Sequence, residues 1–165
     1  MGCVLGIDPG LGGAMAFLHR KGRLLVRDVP TLEVVRGKKK KREIDQHGLQ
    51  EILSKFGRGV TIAYMEVASA MPGQGTTSMF AFGFVYGSLR QAIVSNGIAM
   101  THVAPPVWRK ALAVRKGKDA SRLRASELMP EYAELWSRAK DHGRAEAALI
   151  AYYGMLQERL SRKIT

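Results

Sequence analysis

The chain has 165 residues, 46% of them hydrophobic and 24% charged, enough for one domain with a hydrophobic core and unlike a disordered, fibrous or two-domain protein. Its 26 Lys and Arg against 14 Asp and Glu leave a net charge of +12, which makes a polyanion, and nucleic acid first, the expected partner. The single cysteine, Cys3, excludes an internal disulfide framework and a cysteine zinc site, and the sequence offers neither a signal-peptide core nor a run approaching the ~20 residues of a membrane span, so a cytosolic protein is expected.

Val4 to Asp8, Ala14 to Leu18 and Leu24 to Val29 are apolar runs separated by polar or Gly-rich turns, and they predict three consecutive strands in an antiparallel meander. Arg36 to Arg42 carries six positive charges in seven residues, whose mutual repulsion predicts a mobile loop. Leu49, Ile52, Leu53 and Phe56 fall on one helical face ending near Gly57, and Val60 to Val67 is then strand-like. Thr77 to Ser95 is helix-compatible and stops at Asn96-Gly97; within it Phe80, Phe82, Phe84 and Tyr86 are expected in the core or a dimer contact, and Gly83 and Gly87 permit close approach of another helix. Ile98 to Val103 reads as a fifth strand. A short helix through Trp108, another from Asp119 or Ser121 to Met129, and a last amphipathic helix from about His142 to Arg159 complete the chain. Trp108 and Trp136 are expected to pack internally. The fold class is α/β: a mixed five-stranded sheet flanked by helices, in one domain spanning 1–165.

Three acids stand in apolar surroundings: Asp8 closes the first strand, Glu66 closes the strand Val60 to Val67, and Glu146 interrupts the run from Ala145 to Ala151. Gathered without a cation they would repel one another and resist ionisation, so their convergence calls for a divalent metal. Carboxylates without thiolates select hard ions, Mg²⁺ or Mn²⁺, which act on phosphate oxygens. His142 lies one turn before Glu146, while Asp141 can either cap the helix or point into the site; both are carried as the fourth group. Lys38, Lys39, Lys40, Lys41 and Arg42, with Arg109, Lys110, Lys116 and Lys118, are the expected phosphate grips. Met71 and Gln74, in the Gly-containing segment after Glu66, are the expected contacts to base or sugar.

Gly6-Ile7-Asp8-Pro9-Gly10, then Met65-Glu66, then Lys140-Asp141-His142-Gly143-Arg144-Ala145-Glu146-Ala147 together resemble the RuvC-type Holliday junction resolvases, particularly phage-borne and plastid-like members. The resemblance runs over essentially the whole chain and implies an RNase H-like fold and a homodimer that nicks two opposing strands of a four-way DNA junction, leaving 5′-phosphate and 3′-hydroxyl ends. It also implies two metal ions per site, Asp8 bridging both, Glu66 and Glu146 holding or orienting one each, and Asp141 or His142 completing the set. No membrane and no small-molecule cofactor are implied. Glu146 stands where many members have Asp, and Gly143 where many have an acid or His. Another nuclease of the same fold and a non-catalytic binder of structured DNA are the competing expectations.

Overall fold

The computed structural model describes residues 2–67, 73 and 75–163. The three predicted leading strands form as β1 (Cys3–Asp8), β2 (Ala14–His19) and β3 (Leu24–Asp28), antiparallel to one another. The strand Val60–Glu66 and the strand Met100–Val103 are also present. The chain forms a hairpin before the first of these, so in chain order they are β6 and β7, after β4 (Thr31–Arg36) and β5 (Lys39–Ile44). The main sheet has five strands in the order β3-β2-β1-β6-β7, with β6 parallel to β1 and β7 parallel to β6. This mixed sheet is the α/β arrangement expected from the sequence.

Strand alternation divides the core into two layers. Cys3, Leu5 and Ile7 of β1, with Ala63 and Met65 of β6, face α1 (Gln46–Phe56) and α2 (Thr76–Ser95), where Leu49, Leu53, Leu89 and Ile93 are buried. Val4 and Tyr64 face the opposite side, packed with α3 (Pro105–Ala111), α4 (Ala120–Leu128) and α5 (His142–Ser161). The Asp45 carboxylate starts α1 by accepting from the Gly48 N–H at 3.0 Å. Two short 3₁₀ segments, Pro130–Trp136 and Ala139–Asp141, lead into α5 where the sequence suggested only connection. Trp108 and Trp136 are both buried, as expected. No helix among the described residues is long and apolar enough to cross a membrane.

The basic run is ordered, contrary to the loop expected from its charge. It forms the end of β4, a two-residue turn and β5, with Arg36 paired to Lys39 and Gly37 at φ +64 in the turn, a region that favours glycine. Alternation sends successive cationic side chains to opposite faces, so the charges separate. Glu33 meets Lys40 at 2.8 Å, and the Arg42 guanidinium donates to the Leu11 carbonyl. Phe80, Phe82 and Phe84 are also not core residues of this chain: all three are exposed on α2, Phe80 most of all at 78%.

The element that positions everything on the second face is α5, which crosses directly over β1. Its inner face is built from Ala145, Ala147, Ala148 and Ala151, all fully buried. Opposite them, Gly6 of β1 leaves room for backbone against backbone: a Cβ there would stand 2.3 Å from the Ala147 carbonyl oxygen and 2.3 Å from the Ala151 nitrogen. Gly154 repeats the device farther along, where a Cβ would meet the Tyr64 ring at 2.4 Å. Because the obstructing atoms at Gly6 are main-chain atoms, Gly6→Ala is expected to destabilise the protein by about 3 kcal/mol, measured by urea unfolding.

Candidate active site

Asp8 and Glu66 occupy equivalent places, at the carboxyl ends of neighbouring parallel strands. Ile7 pairs with Met65, so the next residues of the two strands are these two acids. The same alternation that turns Ile7 and Met65 toward α1 and α2 turns Asp8 and Glu66 toward α5. Glu146 lies in the second turn of α5, one residue before Ala147, whose carbonyl abuts Gly6. Three elements distant in sequence thus bring three carboxylates to one end of the sheet. Gly143, one turn earlier on α5, is pressed against the same place: a Cβ on it would lie 2.9 Å from Asp8 Oδ2 and 2.6 Å from the Gly12 carbonyl oxygen.

Each acid has a different environment. No hydrogen bond or ion pair reaches the Asp8 carboxylate from the described residues. Glu66 Oε2 accepts the indole N–H of Trp108 at 2.7 Å. Glu146 Oε1 accepts from the Ser121 hydroxyl at 2.9 Å and is ion-paired with Arg109. With Glu146 drawn toward α3 and α4 and Glu66 toward α3, no three His, Cys, Asp or Glu side chains among the described residues stand close enough together to cage an ion.

Electrostatics records the crowding. Burial raises the Asp8 carboxyl well above the usual carboxylate range, the charges of Glu146 and Glu66 raise it further, and Arg109 opposes them. Burial also raises Glu66; the Trp108 hydrogen bond opposes that shift, Glu146 reinforces it and Arg109 lowers it. The set fits a hard divalent cation: its donors are all carboxylate oxygens, and one of them is unpartnered and repelled by both neighbours.

The two candidates for a fourth group are placed differently. Asp141 occupies the N-cap position of α5, yet its side chain does not cap that helix. Its oxygens are gripped by Arg138, Nε to Oδ2 at 2.8 Å and Nη2 to Oδ1 at 2.9 Å, which holds its carboxyl below the ordinary range. A flanking arginine three residues earlier thus partners Asp141 locally. His142 is exposed at the first residue of α5, with no hydrogen bond or ion pair among the described residues.

Of the expected DNA contacts, Lys38 to Arg42 lie exposed on the hairpin, and Lys110, Lys116 and Lys118 are exposed around α3 and the start of α4. Arg109 is found with Glu146. Met71 and Gln74 lie outside the described residues. Sequence reasoning missed the contacts made by Trp108 and Ser121. The signal for Trp108 was its position in the connection after β7, beside the strand that carries Glu66; Ser121 carried no signal beyond its place near a helix start.

The electrostatic strain is testable in metal-free protein. A carboxyl raised by folding contributes stability below its unfolded pKa and loses it as the pH rises through the folded value. Asp8→Asn is therefore expected to raise the melting temperature at pH 8 by about 2–4 °C, equivalent to ~1 kcal/mol. The gain should shrink as the pH falls through the raised Asp8 value, as followed by calorimetry in chelator between pH 8 and pH 4.

No family model matches the chain. Over 94 residues, 56% of this chain, it is 31% identical to a Chlamydomonas reinhardtii protein described as "Holliday junction resolvase MOC1, chloroplastic", of whose length it covers 11%. Among solved structures it is similar to T. thermophilus RuvC in complex with a Holliday junction substrate, with a TM-score of 0.66 at 16% identity, covering 97% of this chain and 96% of the other. It is likewise similar to a second Thermus thermophilus RuvC structure, with a TM-score of 0.60 at 17% identity, covering 96% of each chain. The likeness extends over nearly the full length of both chains, and this protein has the fold of the RuvC Holliday junction resolvases.

Proposed function

We propose that this protein is a structure-selective endonuclease that resolves four-way DNA junctions by paired, symmetric, metal-dependent nicks, leaving 5′-phosphate and 3′-hydroxyl ends. The observation that carries the reading is the convergence of Asp8, Glu66 and Glu146 at the carboxyl ends of two neighbouring parallel strands. It is supported by the RuvC fold and by a net charge of +12, which suits a phosphate-rich substrate.

In this reading Asp8, unpartnered and central, holds Mg²⁺ or Mn²⁺ together with Glu66 and Glu146. Two bound ions would supply a metal-activated water and neutralise charge developing on the leaving 3′-oxygen. Trp108 orients Glu66, and Ser121 orients Glu146, through the hydrogen bonds described above. Of the two fourth-group candidates, His142 has the free side chain and lies one turn before Glu146, while Asp141 is committed to Arg138. Lys38 to Arg42 on the hairpin, Lys110, Lys116 and Lys118 grip phosphates, Met71 and Gln74 reach base or sugar, and Arg109 approaches the backbone from beside the carboxylates.

Paired nicks require two sites, and a homodimer supplies them. The exposed strip of α2 suits this role: Phe80 and Phe84 project from it, while Cβ atoms built on Gly83 and Gly87 would meet nothing within 4 Å, leaving both positions open to a second helix.

The test is cleavage of a synthetic four-way junction beside matched linear duplex and RNA–DNA hybrid at one salt concentration, with products mapped strand by strand. Paired symmetric nicks confined to the junction and requiring Mg²⁺ or Mn²⁺ are expected. Asp8→Asn should lower the rate by about a thousandfold or more while leaving junction binding intact. Cutting of the hybrid alone would make the protein a ribonuclease, and tight binding without cutting would make it a structural DNA-binding module.

A further inference from the structure

Among the described residues, Arg109 is a cation whose charge falls on all three acids of the site: it is paired with Glu146, and it opposes the raised values of both Asp8 and Glu66. Its placement is imposed from within the fold. Trp108, the preceding residue on α3, is fully buried and fixed by its hydrogen bond to Glu66, and the Arg109 guanidinium lies 4.8 Å from the centre of that indole ring. The arginine side chain is still 35% exposed, against 15% for Glu146, so it is engaged at one end of the site and reachable from solvent.

The contact sets a fixed positive charge at the carboxylate that a loaded site would use: Arg109 and Ser121 both reach Glu146 through Oε1, which occupies the lone pairs of that oxygen. Gly143, in the preceding turn of α5, has no side chain and is packed against Asp8, so no second carboxylate stands beside Glu146 there. A divalent cation held by Oε2 of Glu146 would stand beside the guanidinium on Oε1, and two positive charges that close repel each other.

We propose that Arg109 is a positioning residue acting as the site's resident counter-ion: it holds Glu146 in the metal-free protein, yields it when a divalent cation binds, and is thereby released toward a backbone phosphate of the DNA. The proposal rests on the metal-dependent reading given above. It makes metal loading and the delivery of a phosphate-binding arginine one exchange, in which the same carboxylate changes partner.

The experiment is Mn²⁺ binding to DNA-free protein, followed by loss of the free-ion electron paramagnetic resonance signal, in the unmodified chain, Arg109→Gln and Asp8→Asn. Arg109→Gln should bind about tenfold more tightly, equivalent to ~1.4 kcal/mol, because no internal cation has to be displaced. Asp8→Asn should lose the binding. A folded Arg109→Gln with unchanged or weaker affinity overturns the proposal while leaving the metal site standing; absence of Mn²⁺ binding to the unmodified chain overturns both. A second readout needs no variant to fold beyond the one used for assignment. The ¹⁵N guanidinium resonance of Arg109, assigned with Arg109→Lys, should lose its restricted, ion-paired character during a Mg²⁺ titration. Its persistence at saturating Mg²⁺ overturns the exchange.

Discussion

The backbone contact between α5 and β1 is the constraint on which the rest of the site depends. Gly6 removes the only side chain that would separate the two elements, and the alanines of α5 provide a thin surface to meet it. Glu146 is one residue from the carbonyl that lies against Gly6, so the place of its backbone relative to β1 is set by main-chain packing. A helix held off by a larger residue would carry the third acid away from the other two. The same closeness leaves no space for a side chain at position 143, so that tight packing and the reduced number of acids on α5 have one cause.

Convergence of like charges is costly, and the structure offsets the cost in three distinct ways. Glu66 has a neutral donor in Trp108, Glu146 has a hydroxyl and a guanidinium, and Asp8 has neither. The acid left without a partner is the one on the central strand, where burial and both neighbouring charges act on it together. A site organised in this way is poorly satisfied by protein alone, and in the proposed reading a small hard cation would complete it. The supporting residues come from one stretch, Trp108 to Ser121, which follows β7 and therefore emerges beside the strand that carries Glu66.

Much of this was legible in the chain itself. The three opening strands, the periodic helix beginning after Asp45 and the small-residue helix from His142 onward announced themselves through period and punctuation, both of which are local properties. The acids at positions 8, 66 and 146 were conspicuous because each contradicts its apolar neighbours. The basic run misled, since counting charges ignores strand alternation and the cross-strand Glu33, whereas for the phenylalanines of α2 the choice between core and dimer contact stayed open, because a helix hydrophobic all round does not disclose which side the chain itself covers. The partner of Asp141 was not legible either, since Arg138 reaches it across a 3₁₀ turn that no periodicity marks.

What the sequence by itself determined is therefore the five strands of the main sheet, the helices between and after them, and the identity of three chemically unusual acids, because strand and helix periods and a misplaced charge are readable from neighbours along the chain. What only the tertiary structure decided is partnership: that Arg109 belongs to Glu146, that Trp108 belongs to Glu66, that Asp8 has no partner among the described residues and that Asp141 is held by Arg138. Those pairings span 37 residues between Arg109 and Glu146 and 42 between Trp108 and Glu66. They arise where strand ends and helix faces meet in space, and no local pattern encodes such a meeting.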